Sequence, residues 1–109
     1  MDTWNALMIS LGQTIGKQPD SLESVLFIIG IQELGKVEDS FTKEQKQDVM
    51  HIGICSVLEK AGFYTFSGKD EEGWPHYDLI TAVPPMEPEK EEEFLKNHII
   101  NYFAEGGKA

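Results

Sequence analysis

Four side chains with ligand or acid–base chemistry recur at one spacing in the middle of the chain. Glu44, Asp48, His51 and Cys55 stand at i, i+4, i+7 and i+11, which on a helix places them along one stripe. Carboxylates and imidazoles bind divalent metals, and Asp48-x-x-His51 has the spacing of a ligand pair on one helix. The plainer reading is the wet edge of a half-buried helix, because a metal site also needs ligands converging from elsewhere. On that reading His51 lies between the edge and the Leu58 side, where a neutral imidazole finds a local acceptor. Cys55 is expected as a small buried hydrophobe, not as half of a dyad with His51.

Two further groups stand out. Glu33 shares a helical stripe with Leu22, Leu26 and Ile29 and lies near a helix C-terminus, where the dipole disfavours an anion. A carboxylate there is a perturbed acid in a cleft, or, on the plainer reading, it reaches solvent at the helix end or pairs with a lysine or His51; the plainer reading is preferred. The run Trp74-Pro75-His76-Tyr77 puts Trp74 and His76 on one strand face and Pro75 and Tyr77 on the other. Rings on both faces of a two-stranded sheet suit a protein or peptide contact. His98, between Phe94 and Tyr102, reads as a satisfied core or boundary histidine. The sequence has no nucleophile-elbow serine, no His-Glu-x-x-His and no Cys-x-x-Cys pattern.

The elements that must position these groups follow from periodicity and caps. The most apolar run, Val25 to Ile31, is too short to cross a bilayer, which needs roughly 20 apolar residues. An Asp20/Glu23 capping box and the stop at Gly35 predict a helix over 21–34. Apolar on nearly every side, it is expected to be wholly enclosed. Before it, Trp4, Leu7, Met8, Leu11 and Ile15 make the core stripe of a first helix from Asp2 or Thr3 to about Gly16. After it, a Thr42/Gln45 capping box opens a third helix running to about Lys60. Its strongest apolar arc is Met50, Ile54, Val57, Leu58 and Ala61. Val49 and Ile52 fall outside that arc and point to a second contact surface, from another element or another subunit.

The period then changes to two. Phe63 to Phe66 and Trp74 to Thr81 read as strands of a hairpin whose loop spans Ser67 to Gly73. Pro88 opens a last helix with core face Phe94, Leu95, Ile99, Tyr102 and Phe103. The expected fold is thus α+β and predominantly helical. Four helices are built round the central buried one, and one β-hairpin lies between helices 3 and 4, with residues 1–109 forming a single globular domain.

The segment Val57-Leu58-Glu59-Lys60-Ala61-Gly62-Phe63, followed by two strands, resembles the passage from recognition helix to wing in winged-helix regulators. The resemblance covers about Ser21 to Thr81, concerns element order alone, and implies nucleic-acid binding. The wing tip departs from it, reading Lys69-Asp70-Glu71-Glu72-Gly73 where a phosphate grip needs basic residues.

Charge weighs against that function. The 109 residues carry 19 acidic and nine basic side chains, a net charge of -10. Every basic residue is lysine, so the forked arginine donor favoured for phosphates and bases is missing. Such a field repels nucleic acids and anionic membranes and suits solubility or a basic partner. One cysteine forms no internal disulfide, and with no leader or spanning segment apparent the expected compartment is the cytoplasm. The sequence therefore predicts a small acidic cytoplasmic interaction or regulatory domain without catalysis or cofactor. It would bind a protein partner or itself, and neither nucleic acid nor membrane. The alternatives are a metal-assisted or acid–base site using Glu33, Asp48 and His51, with His76 as a further member, and a winged-helix nucleic-acid binder.

Overall fold

The computed structural model describes residues 3–35 and 40–106. Four helices and one hairpin follow in the order α1 (Thr3–Ile15), α2 (Leu22–Leu34), α3 (Lys43–Lys60), β1 (Tyr64–Lys69), β2 (Pro75–Leu79) and α4 (Pro88–Ala104). This is the predominantly helical α+β arrangement the periodicity predicts, with the hairpin between α3 and α4. Among the described residues, no helix is long and apolar enough to cross a membrane.

The caps explain the boundaries. At α2 the predicted Asp20/Glu23 box gives way to a single side-chain cap one residue later. Ser21 is the N-cap, its Oγ accepting from the Ser24 N–H at 3.1 Å. Asp20 instead accepts from the Ser24 hydroxyl at 2.9 Å. Serine is as good a cap as aspartate, and it stands one position nearer the first helical turn. Gly35 closes α2 at φ 73, its N–H reaching the Ile31 carbonyl. The Thr42/Gln45 capping box of α3 forms as expected, with bonds of 3.1 Å and 2.9 Å. Pro88 occupies the first turn of α4, and Glu89 and Glu91 meet the positive end of its dipole.

The core gathers Met8 and Leu11 from α1, Val25, Leu26 and Ile29 from α2, Val57 and Leu58 from α3, and Ile99 and Tyr102 from α4. The closest helix pairing is α2 on α3. A Cβ on Gly30 would overlap the Val49 carbonyl, and one on Gly53 would overlap the Leu26 carbonyl. Two glycines on facing helices let the backbones meet.

That contact covers Val49, which is fully buried beneath α2, and Ile52 is buried too, so their second contact surface is met by other elements of the same chain. Three other expectations are corrected. The buried side of α3 is instead Val49, Ile52, Gly53, Cys55, Ser56, Val57 and Leu58, while Met50 and Ile54 are half-buried and Ala61 is exposed. Nor is α2 wholly enclosed. Val25, Leu26, Ile29, Gly30 and Leu34 are buried, but Leu22, Phe27, Ile28 and Ile31 are only half-buried. On α1, Ile15 leaves the core stripe and is 42% exposed.

The first strand is longer toward the tip than the apolar pattern suggests, and the second is shorter at both ends, Pro75–Leu79 against Trp74 to Thr81. β1 runs on through Ser67, Gly68 and Lys69, and the turn shrinks to 70–74. Tyr64 pairs with Leu79 and Phe66 with Tyr77. A bulge then shifts the register so that Gly68 faces His76 and Lys69 faces Pro75. Gly68 at φ 129 takes the strain of that shift. Both strands pack on α3, as a lone hairpin must pack on something to be stable.

Candidate functional site

The hairpin is held on α3 by polar contacts that also shape a cleft. Ser56, a buried polar residue of α3, shares a 2.9 Å hydrogen bond with the Tyr77 hydroxyl of β2. One turn on, Glu59 accepts from the Phe66 N–H at 2.8 Å. The Phe66 ring stands edge-on to Tyr77, with centroids 5.8 Å apart. These contacts fix the base of the hairpin, and its tip leans over the N-terminal half of α3.

Asp70 builds the tip. Its Oδ1 accepts from the Glu72 N–H at 3.0 Å and the Trp74 N–H at 2.9 Å, and its Oδ2 accepts from His76 Nε2 at 3.0 Å. Its own N–H donates to the Trp74 carbonyl, and Gly73 donates back to the Asp70 carbonyl. One aspartate thus replaces the backbone pairing that a tight turn leaves unmade. The His76 contact, then the Trp74 and Glu72 amides, hold the Asp70 carboxyl below the usual carboxylate range.

Between tip and helix lies a cleft of about 470 Å³. From α3 it is lined by Gln45, Asp48, His51, Ile52 and Cys55. From the hairpin it is lined by Asp70, Glu72, Trp74, Pro75, His76 and Tyr77. Three carboxylates and two imidazoles face it, and no lysine does. Pro75 and Ile52 are buried, whereas Asp48, His51 and His76 are exposed. The His51 ring stands edge-on to Tyr64, and its Nε2 lies 3.5 Å from the Cys55 sulfur.

Burial governs the weak acids here. It pushes the Cys55 thiol up to about 11, so the thiol stays neutral. Burial also raises Tyr77, partly opposed by the Ser56 hydrogen bond and reinforced by the charges of Glu33 and Glu59. Tyr64 is raised by burial first and then by Cys55.

Of the residues singled out by type and spacing, the structure brings Asp48, His51, Trp74, His76 and Tyr77 to this one cleft. Glu33 lies outside it. Its carboxylate accepts from the Tyr102 hydroxyl at 3.1 Å, joining α2 to α4, where solvent, a lysine or His51 is the expectation. The α2 stripe that carries Glu33 packs toward α4, so a tyrosine reaches it first. His98 is satisfied as expected, its Nδ1 donating to the Phe94 carbonyl at 2.8 Å. Among the described residues, no group of three or more His, Cys, Asp or Glu side chains converges to hold a metal ion.

Spacing alone missed Asp70 and Glu72. The available signal was Asp70-Glu71-Glu72-Gly73, an aspartate opening a turn and a glycine closing it. No protein-family model, curated protein or solved structure matches the chain.

Proposed function

We propose that the chain is a non-catalytic recognition module that takes a basic segment of a partner protein into the cleft between α3 and the hairpin. One observation carries the reading: the cleft joins Asp48, Asp70 and Glu72 to Trp74, Tyr77 and Pro75, with no lysine among its lining residues. Lysine and arginine side chains have an apolar stem and a cationic head. Ring surfaces and a proline suit the stem, and carboxylates with a ring face nearby suit the head. The net charge of -10 would steer a basic partner toward the chain and speed its encounter. A reducing, cytoplasmic setting agrees with the lone thiol.

The competing readings have less behind them. A nucleophilic cysteine needs a depressed pKa, and Cys55 is pushed the other way. A phosphate backbone entering beside the hairpin would meet Asp70 and Glu72.

Fluorescence anisotropy at physiological salt tests the proposal, with labelled lysine- and arginine-rich peptides against a glutamate-rich control. Binding is expected for the basic peptides alone. Asp48→Asn with Glu72→Gln is expected to weaken it roughly tenfold or more, a loss of about 1.4 kcal/mol for each tenfold. Equal binding of basic and acidic peptides, or a double variant indistinguishable from the parent, would reject it.

A further inference from the structure

We propose that two copies of this chain associate about a two-fold axis through a groove on a separate surface, where the α1–α2 turn meets α2 and α3. The groove is about 470 Å³ and its floor is apolar, formed by Phe27 and Ile28 of α2 and Met50 of α3. Ile15 and Pro19 wall it at the α1 end. This is the open side of the helix that has no polar face. Gly30 seats α2 on α3, but Phe27 and Ile28 remain half-buried, with the Phe41 ring edge-on to Phe27 at 5.9 Å. Ile15 beside them is one of the few exposed large apolar side chains among the described residues. Apolar surface gathered in this way marks a contact.

Charge says what the contact is with. A chain of net charge -10 repels its own copy over most of its surface. The rim of this groove is the exception, because it carries Lys17 and Lys46 with Asp20 and Glu23, two of each sign. The neighbouring groove between α2, α3 and α4 is rimmed by Glu23, Glu91 and Glu92 with no lysine, and the hairpin cleft likewise has none. A two-fold contact sets a patch against itself, so each charge must find its opposite within the same patch. Of these three surfaces only this one meets that condition, since a lysine of one copy can face an acid of the other; the α1–α4 groove also pairs Lys96 with Glu93, but only Trp4 and Ile100 of its lining are apolar. A basic foreign segment would be better served by either all-acid site. The inference is independent of what the hairpin cleft binds.

Sedimentation velocity over a concentration series tests it, with circular dichroism melts to show that each variant is folded. The parent chain is expected to shift from monomer to dimer. Ile15→Glu alters an exposed side chain and is expected to weaken the dimer roughly tenfold or more. Asp20→Lys with Glu23→Lys makes the rim wholly positive, and Lys17→Glu with Lys46→Glu makes it wholly negative. Each is expected to be monomeric alone, and an equimolar mixture of the two is expected to dimerise again. Both variants remain acidic overall, so restored pairing would report the rim and not bulk attraction. A parent chain that stays monomeric at every concentration overturns the proposal and leaves the groove to a different protein. So does a dimer indifferent to Ile15→Glu and to both reversals, which would lie on another surface.

Discussion

Gly30 of α2 rests directly on the Val49 carbonyl of α3, so close that a Cβ there would come within 2.8 Å of the Val49 carbonyl carbon. Gly53 makes the reciprocal contact with Leu26, 2.9 Å from its carbonyl carbon by the same measure. The two glycines set the spacing of the helix pair on which the hairpin and its cleft are mounted.

Gly30→Ala and Gly53→Ala are therefore expected to destabilise the chain. In an open helix the change would stabilise by about 1 kcal/mol, because alanine is the better helix former. Here the methyl meets backbone that cannot swing aside. The expected cost is at least the 1–3 kcal/mol typical of overpacking, roughly. Urea unfolding followed by circular dichroism reads the sign, and a higher midpoint for either variant would contradict the close approach.

Asp70 makes the hairpin tip sensitive to acid. Its folded carboxyl titrates below the ordinary value, so its contribution is present above the usual aspartate pKa of about 3.9. That contribution fades as pH falls through the lowered folded value. The tip should accordingly loosen in acid, with the amides of Glu72 and Trp74 losing exchange protection. Asp70→Ala should produce the same loosening at neutral pH. Asp70→Asn keeps an acceptor for both amides and should retain much of the turn. NMR amide exchange against pH separates the three proteins.

Alkali acts through the base of the cleft. Cys55 is raised from an ordinary 9.0 to about 11, and Tyr77 is also raised, in both cases chiefly by burial. A raised folded pKa gives stability that is complete below the unfolded value and lost as pH rises through the folded one. The urea midpoint should hold to about pH 9 and then fall as pH approaches 11. Cys55→Ala should flatten part of that fall. In the parent chain, labelling of the thiol at pH 8 should be slow and should rise sharply only when urea unfolds it.

Much of the architecture is local and so is readable along the chain. Thr42 and Gln45 are three residues apart, Gly35 ends the helix that carries it, and Pro88 starts its own. Caps and a 3.6-residue period act within a turn or two, which is why element order and type follow from residues alone. The same scale explains the misplaced cap, since Asp20 and Ser21 are both good N-caps and only the final turn chooses between them.

What the tertiary structure decided is which faces meet. Hydropathy ranks Met50 and Ile54 above Gly53 and Ser56, yet the glycine and serine are buried and the larger pair half-open, because Gly53 sits at the close contact with α2 and Ser56 lies under the hairpin against Tyr77. The same packing sends Glu33 to Tyr102, 69 positions away, and brings His76 over to the helix of His51 and Asp48. Residue types and spacing determined the helices, the hairpin and the acidic character of this chain. Only the fold decided that five of the six flagged side chains share one cleft, because that depends on the hairpin folding back onto α3 through Ser56 with Tyr77 and Glu59 with Phe66, partners that lie in different elements.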